Sequence, residues 1–482
     1  MNGRRICSIL GLVLLAEGAF MLPALLISLF CGEGASARAF ALCMVLLFVV
    51  GFPLSRVRAE KQEMFARGGL VATGLTWLLL TLFGALPFWL SGAIPSFVDC
   101  LFETASGFTT TGASILNEIE SLPRGVLYWR SFTNWLGGMG VLVFLLVLSP
   151  LSERNSGGGM HILRAESPGI HATKLVPRMR SSASILYIIY IVLTALEFLF
   201  LLCGGVPVFT AVTLSLSTAG TGGFTIMNDS VMSCSAYVQW VVTAFMFLFG
   251  VNFSIYFLLL IRQAGRAVKN EELRIYVTLT GVAAALLLWN TWGSYASVEE
   301  SVRTALLQTV SFLTTTGFVS ANYDLWPTVS KVILLLLMFV GGCAGSTAGG
   351  IKVVRISLMF KTARRSVYRM FHPNAVRLIH TDGELVDEET VSATSAWLLL
   401  YFIIIAAAML LISRDGFSLE TNFGAALTCM SNIGPGFGEI GATGNFSGFS
   451  AFSKLVLALT MLIGRLEIYP ILVLFFPSVW KR

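Results

Sequence analysis

The chain has 482 residues, of which 56% are hydrophobic and 12% charged, with a formal net charge of +6; its mean hydropathy is +0.80. A soluble domain carries about 25% charged residues, so this composition excludes a cytosolic enzyme, a secreted disulfide scaffold and a disordered chain. It describes an all-α polytopic membrane protein.

About 20 apolar residues cross a bilayer. Arg4 and Arg5 precede the first apolar run, Cys7 to Phe30. A signal peptide carries an apolar region of only about 7–15 residues, so a spanning helix is expected over 6–30. Further spans are expected over 38–54, 69–92, 126–150, 183–204, 236–262, 275–293, 328–348, 391–413 and 451–478. These ten spans put both termini on one side. Between some of them lie half-polar stretches too short to cross, at 95–118, 206–228, 298–322 and 417–446. Each reads as a re-entrant segment, a short helix with an irregular return shielded by protein rather than lipid.

Lysine and arginine set the orientation. The N-terminus, 55–67, 151–181, 262–274, 352–390 and the C-terminus hold 24 of the 32 basic residues. The opposite side holds Arg38, Arg124, Arg303, Lys331, Arg414 and Lys454, while Arg130 and Arg465 fall inside spans. Both termini are therefore expected in the cytoplasm, and the re-entrant stretches open outward. The outer side carries an excess of acids, among them Asp99, Glu103, Asp324 and Glu439, which would concentrate cations at a pore mouth. The 8 cysteines show no CxxC spacing and read as buried small hydrophobes. Glu17 and Glu197 lie within spans and suit interhelical hydrogen bonding.

The re-entrant stretches repeat. They contain Ser106-Gly107-Phe108-Thr109-Thr110-Thr111-Gly112-Ala113, Ser217-Thr218-Ala219-Gly220-Thr221-Gly222-Gly223-Phe224, Phe312-Leu313-Thr314-Thr315-Thr316-Gly317-Phe318 and Ser431-Asn432-Ile433-Gly434-Pro435-Gly436-Phe437-Gly438. Each unit reads span, re-entrant helix, Thr/Gly turn, span. Two N-terminal helices (1–67) precede four units, at 68–180, 181–270, 271–390 and 391–482. Four copies in one direction imply pseudo-fourfold symmetry about one axis. A cation shedding water needs replacement oxygens, and backbone carbonyls from four extended turns supply rings of them. Glycine permits the positive φ that aims successive carbonyls one way.

These residues resemble the Trk/Ktr/HKT superfamily of potassium uptake proteins, and most closely its TrkH/TrkG branch, over essentially the whole chain. The two leading spans, the segment Gly341-Gly342-Cys343-Ala344-Gly345-Ser346-Thr347-Ala348-Gly349-Gly350-Ile351-Lys352, the linker around His372-Pro373 and the segment Ile463-Gly464-Arg465-Leu466-Glu467 extend the match. The resemblance implies a potassium filter built from Thr109, Thr110, Thr111 and Gly112; from Thr218, Ala219, Gly220, Thr221 and Gly222, with the register open between Gly220 and Gly222; from Thr314, Thr315, Thr316 and Gly317; and from Asn432, Ile433 and Gly434. In plant relatives a serine at the first filter position accompanies sodium selectivity, so Gly112 favours potassium. A sodium-conducting or poorly selective transporter on the same fold is the alternative, and an organic-solute carrier is the rival from another class.

The run 341–350 interrupts a span. Each glycine costs a helix about 1 kcal/mol relative to alanine, and in lipid an irregular backbone must be shielded. The resemblance makes this run an intramembrane gate, with Gly345, Ser346, Thr347, Gly349 and Gly350 as its core. Arg465 is expected in mid-membrane, where a charge defaults to a functional hypothesis, and the resemblance places it in the cavity beneath the filter. At about 7 Å and an effective dielectric of about 20, it would repel a cation by roughly 2–3 kcal/mol. A structural ion pair is the competing reading, although Glu467, two residues on, would not face it on a helix. The basic 352–390 segment suits positive-inside charge and contact with lipid headgroups, or the docking of an acidic cytosolic partner. The resemblance further implies a homodimer with one pore per protomer in a prokaryotic cytoplasmic membrane and, as that partner, a cytosolic nucleotide-binding regulatory subunit of TrkA type. No nucleotide fingerprint occurs in this chain, no enzyme constellation or nucleic-acid function is read from it, and potassium is expected as substrate, with no cofactor.

Overall fold

The structure, a computed structural model, describes residues 3–57, 66–140, 179–375 and 377–480. Apart from the two-stranded hairpin His380–Thr381/Glu384–Leu385, its regular elements are helices. Lipid offers no hydrogen bonds, so a spanning backbone must satisfy itself internally. The first span, Gly3–Phe30, is interrupted at Met21 ahead of Pro23, and Gly34–Ser55 packs against it. A Cβ on Gly11 would stand 2.3 Å from the Ser55 nitrogen, so the glycine sets how closely these helices approach.

Three helices then recur four times. The first set is Arg67–Leu90, Phe97–Phe108 and Arg124–Met139, and the second is Met179–Cys203, Val208–Gly220 and Ala236–Phe249. The third is Glu271–Asn290, Val298–Leu313 and Thr328–Val340, and the fourth is Glu388–Ile412, Leu419–Ser431 and Ala451–Arg465. Start signals are local. Ser96, Ser297 and Ser418 cap three of the short middle helices by accepting from the backbone N–H of Asp99, Glu300 and Thr421, and Pro207 precedes the other. The middle helices are buried over most of their length, whereas the long first helices expose apolar side chains such as Leu199, Ile403 and Leu410. That pattern suits an outer wall bathed by lipid.

The ten expected spans are not ten continuous helices. Among the described residues, six helices are long and apolar enough to cross alone: Gly3–Phe30, Gly34–Ser55, Arg67–Leu90, Ser184–Cys203, Glu271–Asn290 and Glu388–Asp415. The third helix of each set stops early. The expected 236–262 span is Ala236–Phe249 and Phe253–Leu260, bent by 89°. The 328–348 span ends at Val340 and the 451–478 span at Arg465. The 126–150 span is helical to Met139, and its remainder lies outside the described residues, as does nearly all of the expected basic loop 151–181. The backbone explains these stops: Gly140 and Gly341 take φ of +79° and +77°, Asn252 caps a new helix after Gly250, and Glu467 and Ile468 take φ of +54° and +76°. Hydropathy averages over such breaks because the residues flanking them remain apolar.

Candidate cation pathway

Each short middle helix ends in the same turn, and its hydrogen bonds define the register. The backbone N–H groups of Thr111, Gly222, Thr316 and Ile433 donate to the carbonyls of Ser106, Ser217, Ser311 and Thr428, five residues earlier, at 2.9, 3.0, 2.9 and 3.1 Å. This is the helix stop that needs one left-handed residue. Thr110, Thr221, Thr315 and Asn432 supply it, with φ of +56°, +52°, +57° and +57°. Two residues on, Gly112, Gly223, Gly317 and Gly434 again take positive φ, of +79°, +68°, +82° and +97°. The residue between keeps an ordinary negative φ. Alternating the sign of φ turns successive carbonyls toward one side, as a carbonyl-lined pore requires.

This register differs from the expected one in the second unit. Thr218, Ala219 and Gly220 lie inside the helix Val208–Gly220, and the Thr218 hydroxyl bonds to the Leu214 carbonyl at 2.9 Å. The residue equivalent to Gly112 is Gly223, and Gly222 corresponds to Thr111. Gly220 has a packing role: its Cβ would stand 2.2 Å from the Asn134 carbonyl oxygen. In the fourth unit the turn begins at Ser431, ahead of Asn432, Ile433 and Gly434. A sequence signal for this register exists, because a hydroxyl residue stands six positions before each positive-φ glycine: Ser106, Ser217, Ser311 and Thr428.

The four turns close on one another. A Cβ on Gly112 would stand 2.2 Å from the Gly222 oxygen, one on Gly223 2.1 Å from the Thr316 oxygen, and one on Gly317 2.0 Å from the Ile433 oxygen. One on Gly434 would stand 2.8 Å from the Thr111 oxygen, which completes the circuit. Each glycine thus abuts the carbonyl that precedes the next unit's glycine. In units one and three the hydroxyls interlock alike, Thr109 with Thr111 at 2.8 Å and Thr314 with Thr316 at 2.7 Å. Asn432 breaks the threonine pattern and donates its amide to Thr111 Oγ1 at 2.9 Å, tying turn four to turn one. The middle helices end at the ring, and the C-terminal pole of each carries about half a negative charge.

Charges expected in outer loops or left unassigned brace this ring. Glu103 is buried and accepts from Arg130 Nε at 2.6 Å, from Ser114 Oγ at 3.0 Å and from the Ile115 backbone N–H at 3.0 Å. Arg130 also donates to the Thr225 carbonyl at 2.8 Å and lies 3.5 Å from the Phe224 ring centroid. The pair therefore joins the residues just beyond Gly112 to those just beyond Gly223. Lys454 of the last helix pairs with Asp99 of the first middle helix at 2.7 Å.

On the opposite side of the ring, the run 341–350 is irregular backbone, as expected. It hangs from the turns: the Gly349 N–H donates to Thr315 Oγ1 at 2.7 Å, and the Gly350 N–H to the Ser431 carbonyl at 2.9 Å. Thr347 Oγ1 donates to the Phe249 carbonyl at 3.2 Å, and the Gly345 carbonyl accepts from the Phe253 N–H at 3.1 Å. Ser346 Oγ donates to the Cys343 carbonyl at 2.6 Å. Glu272 is buried beneath the run and accepts from the Ala344 N–H at 2.7 Å. Arg465 is the last residue of its helix rather than the middle of a span. It donates to the carbonyls of Thr347, at 2.8 Å, and of Gly138, at 2.6 Å. It therefore bridges the run to the end of unit one's third helix. Glu467 pairs with Lys352 at 2.8 Å and with Arg355, so two cations expected in a basic loop are instead half-buried or buried partners of the broken last helix.

Comparison with known proteins follows this geometry. The family described as "TrkH: Cation transport protein" matches residues 35–482. The Trk system potassium uptake protein TrkH of Salmonella typhimurium is 36% identical over 495 residues, covering 100% of both chains. The Trk system potassium uptake protein TrkG of Escherichia coli is 30% identical over 96% of this chain and 95% of its own length. The crystal structure of the potassium transporter TrkH from Vibrio parahaemolyticus superposes with a TM-score of 0.89 at 30% identity, covering 100% of both chains. The chain belongs to the TrkH family of cation transport proteins.

Proposed function

We propose that this protein carries potassium into a prokaryotic cell across the cytoplasmic membrane, through a filter formed by the four turns. The closed ring of turns carries the reading. Thr109–Gly112, Gly220–Gly223, Thr314–Gly317 and Ser431–Gly434 present carbonyls that replace the hydration shell of a potassium ion. Four helix C-termini aimed at the ring favour a cation there. The relatives are named as potassium uptake proteins, and a glycine at position 112 agrees with potassium over sodium.

Gly345, Ser346, Thr347, Gly349 and Gly350 form the gate beneath the filter, and Arg465 closes it. In this state the guanidinium holds a loop carbonyl on one side and a helix-end carbonyl on the other. Opening requires the loop to leave Thr315 and Ser431. Both termini are cytoplasmic, the protein works as a homodimer with one pore per protomer, and a cytosolic nucleotide-binding subunit of TrkA type acts on the gate. The relatives' names place them in a multi-component Trk system, which supports such a subunit.

The experiment is cation flux into vesicles holding only this chain, with potassium, rubidium, sodium or choline outside. Potassium and rubidium entry well above sodium is expected. Equal sodium entry would withdraw the selectivity. No entry, with or without the cytosolic subunit and nucleotide, would sink the pore.

A further inference from the structure

We infer that the inner-leaflet end of the helix Val353–Phe371 carries a binding site for the phosphate of an anionic phospholipid. A cleft of about 160 Å³ lies between this helix and the hairpin strand at His380, and Lys361, Arg364, Arg365, Arg377 and His380 line it. Two of its four permanent cations are already compensated. Lys361 binds Glu271 Oε2 at 2.6 Å and the His380 carbonyl at 2.7 Å, and Arg365 binds Glu388. Arg364 and Arg377 have no carboxylate within 4.0 Å among the described residues. Arg377 lies over the Tyr368 ring at 4.8 Å. The cleft thus holds two uncompensated guanidinium groups, whose forked donors match phosphate oxygens.

Depth selects the source of the phosphate. Glu271 and Glu388, which fix the back of the cleft, are the first residues of the helices Glu271–Asn290 and Glu388–Ile412, and both helices are long and apolar enough to cross the membrane. Where two spans begin together, the bilayer surface lies. Arg364 is twelve residues beyond Lys352, where the chain leaves the intramembrane run, or about 18 Å along a helix. Half of a hydrocarbon core is about 15 Å. Arg364 therefore sits at headgroup level.

The surface beside the cleft fits a lipid. Phe360, Arg364, Val367 and Phe371 follow helical spacing and form one stripe. Phe360 is 74% and Phe371 77% exposed. An apolar stripe interrupted by an uncompensated arginine complements acyl chains beneath an anionic headgroup. A second copy offering the same face would bring arginines together. The site rests on the orientation given above and not on potassium conduction, so its test reads lipid binding and leaves flux aside.

The full-length protein in neutral detergent would be titrated with phosphatidylglycerol, phosphatidylcholine or inorganic phosphate, with bound lipid counted by native mass spectrometry and stability read by thermal unfolding. Phosphatidylglycerol should bind and raise Tm, while the other two should not. Arg364→Gln with Arg377→Gln should weaken phosphatidylglycerol about 30-fold, at about 1 kcal/mol per surface cation. Arg262→Gln with Arg266→Gln, exposed cations elsewhere, should bind as wild type. Should the double variant not fold, the single variants carry the test, each losing about fivefold. Unweakened binding in these variants would overturn the site, whatever the flux. Equal binding of phosphatidylcholine would reduce it to an apolar stripe, and an equal response to inorganic phosphate would assign it to a soluble anion. A change in oligomeric state with lipid binding intact would make the face a contact between copies.

Discussion

Thr110, Thr221, Thr315 and Asn432 hold left-handed backbone conformations that cost an L-residue about 1–2 kcal/mol each. Such strain persists only where the surroundings over-determine it, and it gathers at functional sites. The glycines two positions later have no alternative, because a Cβ would strike the next unit's carbonyl. Gly223→Ala should therefore abolish potassium uptake as fully as Gly112→Asp, with the protein still in the membrane. Gly222→Ala should be milder, since its φ is ordinary and its Cβ would meet the Asn134 side-chain amide. Wild-type uptake in Gly223→Ala would sink the register. Arg465→Ala removes donors to Thr347 and Gly138 and, on the proposed gate, a repulsion of about 2 kcal/mol, so flux should rise about 30-fold. Lower flux with lower Tm would make Arg465 a structural tie instead.

The intramembrane run and the broken last helix act together at the level of elements. Glu467, Lys352 and Arg355 are 6%, 11% and 9% exposed at their side chains. Arg355 also lies over Trp397 at 4.3 Å, and Trp397 Nε1 donates to the Glu467 carbonyl at 3.1 Å. The triad fastens the far end of the run to the break after Arg465. Removing one partner of a buried ion pair costs about 3–5 kcal/mol because a charge is left uncompensated. Glu467→Gln should lower Tm by several degrees, and adding Lys352→Met should restore part of the loss. An unchanged Tm in the single variant would show that the triad does not hold the run.

For the molecule as a whole, if the ring is the proposed filter, its bracing decides how well it discriminates. A filter separates ions of similar size only if its carbonyls keep their positions, and here neighbouring units, rather than one element, hold them. Glu103 and Arg130 span units one and two outside the ring, Asn432 spans units four and one within it, and Asp99 meets Lys454 across the same seam. Glu103→Gln leaves Arg130 buried and uncompensated, which costs about 3–5 kcal/mol and loosens its hold on the Thr225 carbonyl. The ratio of potassium to sodium entry should fall while total cation entry persists. An unchanged ratio would show that the pair serves folding alone.

Composition determined that this chain is a helical membrane protein, because so few charges cannot cover a soluble surface. The repeated Thr/Gly segments determined where its turns lie, since local chemistry stops a helix there. The interruption at 341–350 was equally legible from its glycines. Tertiary structure alone decided the rest. Neither Gly220 nor Gly222, between which the sequence left the register open, takes the place of Gly112, but Gly223, because the helix runs on through Gly220, which Asn134 of another helix crowds. Three expected spans proved broken or short, and the helix of a fourth stops at Met139 where the described residues end, because backbone breaks flanked by apolar residues leave hydropathy unchanged. Glu103 read as an outer-loop charge, Glu467 as a poor local partner and Glu272 carried no reading, yet each is buried beside a partner 27, 115 or 72 residues away in sequence. Helical periodicity reports neighbours three or four residues apart, so pairings at such separations exist only once the four units close around their axis.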